Sequence, residues 1–109
     1  MPPAVYCGTD LVEIARVRQA VARLGQRFLD RVWTAGEQAD CLPGGQMTAA
    51  AAASLAARFA AKEAMAKALG TGIGQAGIRW TDLEIRRRPD GAPIARLGAA
   101  AEAVYRRLG

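Results

Sequence analysis

The sequence predicts an α+β domain in which a small antiparallel sheet packs with one long helix and several shorter ones. Three observations carry that expectation. Residues 4–12 alternate in the manner of a strand, and from about Glu13 the apolar period lengthens to that of a helix. The stretch between Thr48 and Gly70 keeps a helical period for about twenty residues between a good cap and a good stop. Pro89-Asp90-Gly91 then joins two short segments as a turn joins a hairpin. With 109 residues there is room for one domain, residues 1–109, whose core is either compact or completed by partner subunits.

In the first segment Val5, Cys7, Thr9 and Leu11 share one side of the expected strand and Tyr6, Gly8, Asp10 and Val12 the other, so Asp10 is an acid in an otherwise apolar strand. Ile14, Val17, Val21 and Leu24 mark the buried stripe of a helix that Gly25 ends. Arg16 and Arg23 share a different face, joined by Arg27 if the helix continues; on charge pattern alone this is a solvated basic face. Phe28, Leu29 and Val32 suggest a short helix, and Thr34-Ala35-Gly36-Glu37 has the spacing of a capping box that opens another.

After the break at Pro43-Gly44-Gly45, Thr48 is the N-cap of the longest helix, about residues 49–69, ended by Gly70. Leu55, Phe59, Lys62, Ala66 and Leu69 form its stripe, where Lys62 is out of place unless its stem packs while its charged end reaches an anion. Gly70-Thr71-Gly72-Ile73-Gly74 is a turn that permits close backbone approach to a ligand, although as a phosphate signature it is weak because it follows a helix. Trp80–Ile85 reads as a strand, Ala92–Leu97 as its hairpin partner and Ala99–Leu108 as a last amphipathic helix.

Composition narrows the function. A net charge of +5 favours anionic partners, which include nucleic acid, phosphate-bearing metabolites and acidic proteins. Aromatic residues make up 6% of the chain and do not interleave with basic ones, which argues against a single-strand stacking platform and ranks nucleic acid low. With no histidine and only Cys7 and Cys41, zinc, copper and haem sites are disfavoured, leaving oxygen-ligated magnesium or manganese. No signal peptide or long uncharged apolar run is present, so the expectation is a cytoplasmic chain with no membrane anchor.

Arginine outnumbers lysine thirteen to two, and both lysines, Lys62 and Lys67, flank Glu63 near the end of the long helix. Glu63 and Lys67 lie one turn apart on the same flank. That suits a carboxylate that binds a metal or takes a proton beside an ammonium that neutralises phosphate, but taken alone the spacing favours an ordinary surface pair worth about 0.3–0.5 kcal/mol.

Gly8 to Ile14, Arg27 to Thr34 with Glu37, Arg58 to Gly74, Trp80 to Ile85 and Gly91-Ala92-Pro93, in that order, resemble the holo-acyl-carrier-protein synthase family of small 4'-phosphopantetheinyl transferases. The resemblance covers nearly the whole chain and implies that family's fold. It further implies transfer of the 4'-phosphopantetheine arm of coenzyme A to a serine of apo acyl carrier protein, with release of adenosine 3',5'-bisphosphate. Asp10 and Glu63 would be the protein ligands of Mg²⁺, and Glu63 also the group that takes the serine proton. Lys67 would stabilise or protonate the departing phosphate. Arg58, Lys62, Lys67 and the Gly70-Thr71-Gly72 turn would contact coenzyme A, the cations at its phosphates and the turn through backbone amides.

By the same resemblance Arg16, Arg23, Arg27 and Phe28 would meet the acidic recognition helix of the carrier protein, and the chains would form a homotrimer with active sites at subunit boundaries. Members of the family continue past the position of Gly109 into a strand with a Val-Ser-x-Ser-His segment and a final strand. The expectation for this chain is therefore a sheet short of those strands. The alternative to an enzyme is a catalytically impaired module that retains coenzyme A or carrier-protein binding.

Overall fold

A computed structural model describes residues 8–74 and 77–108, with the side chains of residues 8–10 excepted. Five helices, α1 (Gly8–Leu24), α2 (Gln26–Val32), α3 (Ala35–Cys41), α4 (Ala49–Ala68) and α5 (Ala99–Arg107), surround an antiparallel hairpin of β1 (Leu83–Arg87) and β2 (Pro93–Leu97). Ile85 pairs with Ala95 at the centre of the hairpin register. Among the described residues no helix is long and apolar enough to cross a membrane.

The local signals act where expected. Thr34 and Glu37 close a reciprocal capping box at the start of α3. The Thr48 side chain accepts from the Ala51 amide and caps α4. Gly25, at φ 71°, lets the chain turn after α1 and begin α2 at once.

Two expectations change. Residues 8–12 form the first turns of α1 instead of a strand, and residues 4–7 lie outside the described part. Leu11 ends the alternation that begins at Val5 but also begins the three-to-four residue spacing of Ile14, Val17 and Val21, and a helix satisfies its own backbone without a neighbouring strand. The strand expected from Trp80 begins at Leu83, because Trp80–Asp82 is a 3₁₀ turn in which the Asp82 carboxylate accepts from the Arg79 amide at 2.7 Å.

The long helix α4 joins two apolar clusters. Its first half places Leu55 and Ala56 against Val17, Leu29, Val32, Trp33 and Cys41. Its end places Ala66 and Leu69 against Ile78, Leu83, Ala101 and Val104. Trp33 is fully buried and its indole N–H donates to the Leu55 carbonyl at 3.2 Å, so its one polar atom is satisfied within the core.

Between the clusters lies Lys62, with none of its surface exposed. Its Nζ donates to Glu37 Oε1 at 2.5 Å, to the Val32 carbonyl at 2.6 Å and to the Trp80 carbonyl at 3.0 Å. All three ammonium donors are thereby used. Burial pulls the Lys62 pKa below its ordinary value, against the opposing pull of the Glu37 carboxylate. Glu37, equally buried, also accepts from the Thr34 amide at 2.9 Å and, through Oε2, from the Ile85 amide at 2.9 Å. The anion that Lys62 reaches is therefore internal, which corrects the expectation that it contacts coenzyme A.

Other side chains complete the outer edge of β1 in place of a third strand. The Arg87 amide donates to Asp40 Oδ2 at 3.0 Å, and Arg58 Nε donates to the Ile85 carbonyl at 2.9 Å. Asp40 also accepts from Arg86 Nε at 3.0 Å, and this guanidinium holds its carboxyl below the usual aspartate range.

Lys62→Ala is expected to cost about 3–5 kcal/mol, since it leaves the Glu37 charge buried and unpaired, whereas Lys67→Ala changes stability by under about 0.5 kcal/mol. Equal urea midpoints for the two variants would contradict the assignment. For Asp40, a depressed folded pKa means that its contribution is present above the ordinary aspartate pKa and is lost as pH falls through the folded value. The stability difference between the wild type and Asp40→Asn should thus be full at neutral pH and shrink below the aspartate range. A difference that stays constant into acid would remove the ion pair from the account.

Candidate active site

Helical geometry turns the burial of Lys62 into the exposure of its neighbours. Successive side chains differ by about 100° around an α-helix, so with Lys62 pointing into the protein Glu63 points out, and Lys67 follows one turn later. Both are exposed. Neither enters the ion pairs formed among the described residues, so the ordinary surface-pair reading of Glu63 and Lys67 does not hold here. The result, in the last turns of α4, is a carboxylate and an ammonium that have no ion-pair partner among the described residues. Oxygen donors of this kind fit Mg²⁺, which takes a few carboxylates and completes its shell with phosphate and water. Asp10 lies in the first turn of α1, and α1 packs on α4.

The turn after α4 differs from expectation. The amides of Thr71 and Gly72 both donate to the Ala66 carbonyl at 3.3 Å, and the Gly70 amide donates to the Lys67 carbonyl at 2.9 Å. These bonds close the C-terminus of α4, helped by the positive φ of Gly70 and Gly72. The amides expected to cradle a phosphate are thus used by the helix. Among the described residues, the buried hydroxyl of Thr71 has no hydrogen-bond partner.

A groove of about 290 Å³ runs between α4 and the hairpin, lined by Ala57, Arg58 and Ala61 on one side and Ile85, Arg86, Arg87, Gly91 and Pro93 on the other. Arg58 is largely buried, its Nη1 donating to Ser54 Oγ at 2.6 Å, yet it forms part of the groove wall. Arg86 lies across Gly36, where a methyl group would collide with its guanidinium. Arg86 and Arg87 were not among the sequence-predicted residues; three consecutive arginines, 86–88, before a turn were the available signal. Ala57 and Ala61 face this groove, while Glu63 projects roughly 120–160° around the helix from them. One chain therefore does not bring Arg58 and Glu63 onto one face.

A second groove, about 390 Å³, forms where α1 meets α2 and is lined by Arg23, Leu24, Arg27, Phe28 and Arg31. The turn at Gly25 aligns Arg23 with Arg27, and Arg31 follows one turn on; this third arginine was missed. Leu24, expected in the core, is 49% exposed and contributes apolar surface here. The nearby acid Asp30 accepts from Gln26 Nε2 at 2.7 Å and Gln38 Nε2 at 3.1 Å, and among the described residues it forms no ion pair with these arginines. Arg16 is separate and exposed, paired with Glu13 at 3.4 Å.

An α+β chain with an outward carboxylate and ammonium on its long helix, beside two arginine-lined grooves, defines a protein suited to handling phosphate and an acidic partner. Residues 6–108 match the family model described as the 4'-phosphopantetheinyl transferase superfamily. The chain is 51% identical over 108 residues to a holo-[acyl-carrier-protein] synthase of Chloroflexus aurantiacus, covering 90% of this chain and 77% of that one. It is 50% identical over 99 residues to one from a Methylobacterium species, covering 89% and 70%. The crystal structure of holo-[acyl-carrier-protein] synthase from Neisseria meningitidis matches with a TM-score of 0.71 at 32% identity, over 88% of this chain and 73% of that one. The chain belongs to the 4'-phosphopantetheinyl transferase superfamily.

Reversing Arg31 to Glu is expected to weaken binding of an acidic helical protein at least as much as Arg16→Glu does, because Arg31 shares its groove with two further unpaired arginines while Arg16 already has Glu13. The check is a titration with acyl carrier protein at two salt concentrations. Unchanged affinity in the Arg31 variant would detach this groove from partner binding.

Proposed function

We propose that this chain is a holo-[acyl-carrier-protein] synthase, transferring the 4'-phosphopantetheine arm of coenzyme A to a serine of apo acyl carrier protein. The observation that carries the reading is the outward, unpaired Glu63–Lys67 flank of α4 in a chain of this superfamily. Asp10 and Glu63 would hold Mg²⁺. When bound, the ion supplies a clamp on the coenzyme A pyrophosphate and draws off charge as the bond to the leaving phosphate breaks.

The chain's own residues do the rest. The serine oxygen attacks the phosphorus that bears the pantetheine arm, and Glu63 takes the serine proton. The bond between that phosphorus and the bridging oxygen breaks, its electron pair leaving with adenosine 3',5'-bisphosphate, and Lys67 neutralises the charge that develops there. Arg58, with Arg86 and Arg87, lines the groove that would take the phosphate-bearing nucleotide end of coenzyme A. Gly70, Thr71 and Gly72 would contact it through the shape of the turn. The acidic carrier protein would dock on Arg16 and on the groove of Arg23, Arg27, Phe28 and Arg31.

The opposed directions of Glu63 and the α4–hairpin groove support a site shared between chains. A ligand touching both from one chain must pass round α4, whereas two chains can supply one each, as a homotrimer would.

Incubation with apo acyl carrier protein, coenzyme A and Mg²⁺ tests the function by the mass gained by the carrier protein. Asp10→Ala and Glu63→Ala should each abolish the gain. Lys67→Ala should lower kcat by about 10²-fold or more with a smaller change in KM for coenzyme A, since its charge matters most in the transition state. No mass gain with the wild type would defeat the proposal.

A further inference from the structure

The face of α4 turned to the protein carries many alanines: Ala51, Ala52, Ala56 and Ala66 are buried there, with Leu55, Phe59, Met65 and, at the C-cap, Leu69 as the larger apolar side chains, and Phe59 stacks on Trp80 at 4.5 Å between ring centroids. The alanines allow close approach but interlock little, so resistance to rotation of the helix about its axis falls to these few larger side chains and to polar contacts. Lys62 adds the most highly connected of those polar contacts. Its ammonium is held at 2.5–3.0 Å by three acceptors from three different parts of the chain, the end of α2, α3 and the Trp80 turn. The acceptor that carries charge, Glu37, is itself tied to Thr34 and to β1 through Ile85.

Glu63 is the next residue. A rotation of α4 by about 10° would move a side-chain end about 5–6 Å from the axis by about 1 Å. Metal–ligand distances tolerate only about 0.2 Å.

We propose that Glu37 is a positioning residue for the transfer reaction: by fixing Lys62 from α3, it sets the direction in which Glu63 is presented to the metal. This rests on the reading of Glu63 as a magnesium ligand. Glu37 touches neither substrate nor ion, and it acts through the rotation of α4.

The test is a Mn²⁺ titration of the full chain with saturating coenzyme A, followed by electron paramagnetic resonance, which reads the metal without turnover. Two variants weaken the node: Glu37→Gln, which removes its charge, and the double variant Glu37→Gln/Lys62→Met, which removes the ammonium as well and leaves no unpaired buried charge. Leu55→Val is the control, because it loosens the same helix while keeping the node. Either node variant, folded by circular dichroism, should lose about tenfold or more in Mn²⁺ affinity, in the range known for residues that orient metal ligands, and the control should bind as the wild type does. Should one node variant fail to fold, the other carries the comparison. Mn²⁺ affinity within twofold of wild type in a folded node variant overturns the proposal, as does an equal loss in the Leu55→Val control. A wild type that binds no Mn²⁺ in the presence of coenzyme A would overturn the metal assignment, and this proposal with it.

Discussion

The ion pair between Lys62 and Glu37 is the constraint on which the rest of the chain depends. A buried pair contributes little compared with an apolar replacement of the same shape, because desolvating both charges offsets their attraction. Its importance here lies in the backbone groups it satisfies. The Val32 and Trp80 carbonyls and the Thr34 and Ile85 amides all find partners in these two side chains. Each lies at an end or an edge, where a helix or a two-stranded sheet leaves polar groups unpaired. A small domain with little sheet thereby joins α2, α3, α4 and β1 through one polar knot.

Much of the fold was legible because its rules are local. The capping box at Thr34, the cap at Thr48, the stops at Gly25 and Gly70 and the hairpin turn each depend on a few adjacent residues, and each forms. Residues 8–12 were misread because a short alternation can run into a helical period, and only the surroundings decide between them. Lys62 could be recognised as anomalous, but its partner could not. Glu37 lies 25 residues away and already had a sufficient role as a capping residue; a carboxylate has two oxygens and accepts several bonds, so one role did not exclude another.

The candidate site follows the same division. Glu63 and Lys67 could be placed on one flank from helical spacing alone, and their freedom from ion pairs agrees with a use other than surface pairing. The grooves could not be read in this way. Arg31 gains its place from the bend at Gly25, and Arg86 and Arg87 gain theirs from a hairpin folding against helix residues more than twenty positions earlier in the chain. The Gly70–Gly72 turn misled in the opposite direction: glycines at a helix end permit anion binding, but they also permit the helix to cap itself, and here the amides do the latter.

The occupied edge of β1 gives the sheet a direction of growth. Because the Ile85 amide and carbonyl point toward Glu37 and Arg58, the residue opposite, Ala95, must direct its own backbone groups to the far side of β2, and so must Leu97. Position 93 shares that orientation but is proline and offers no N–H. A further strand, whatever its source, is therefore excluded from the β1 side and can extend the ladder at β2 alone, finding donors at 95 and 97 but not at 93. The hairpin thus behaves as a one-sided template, closed by side chains on one margin and open to strand addition on the other.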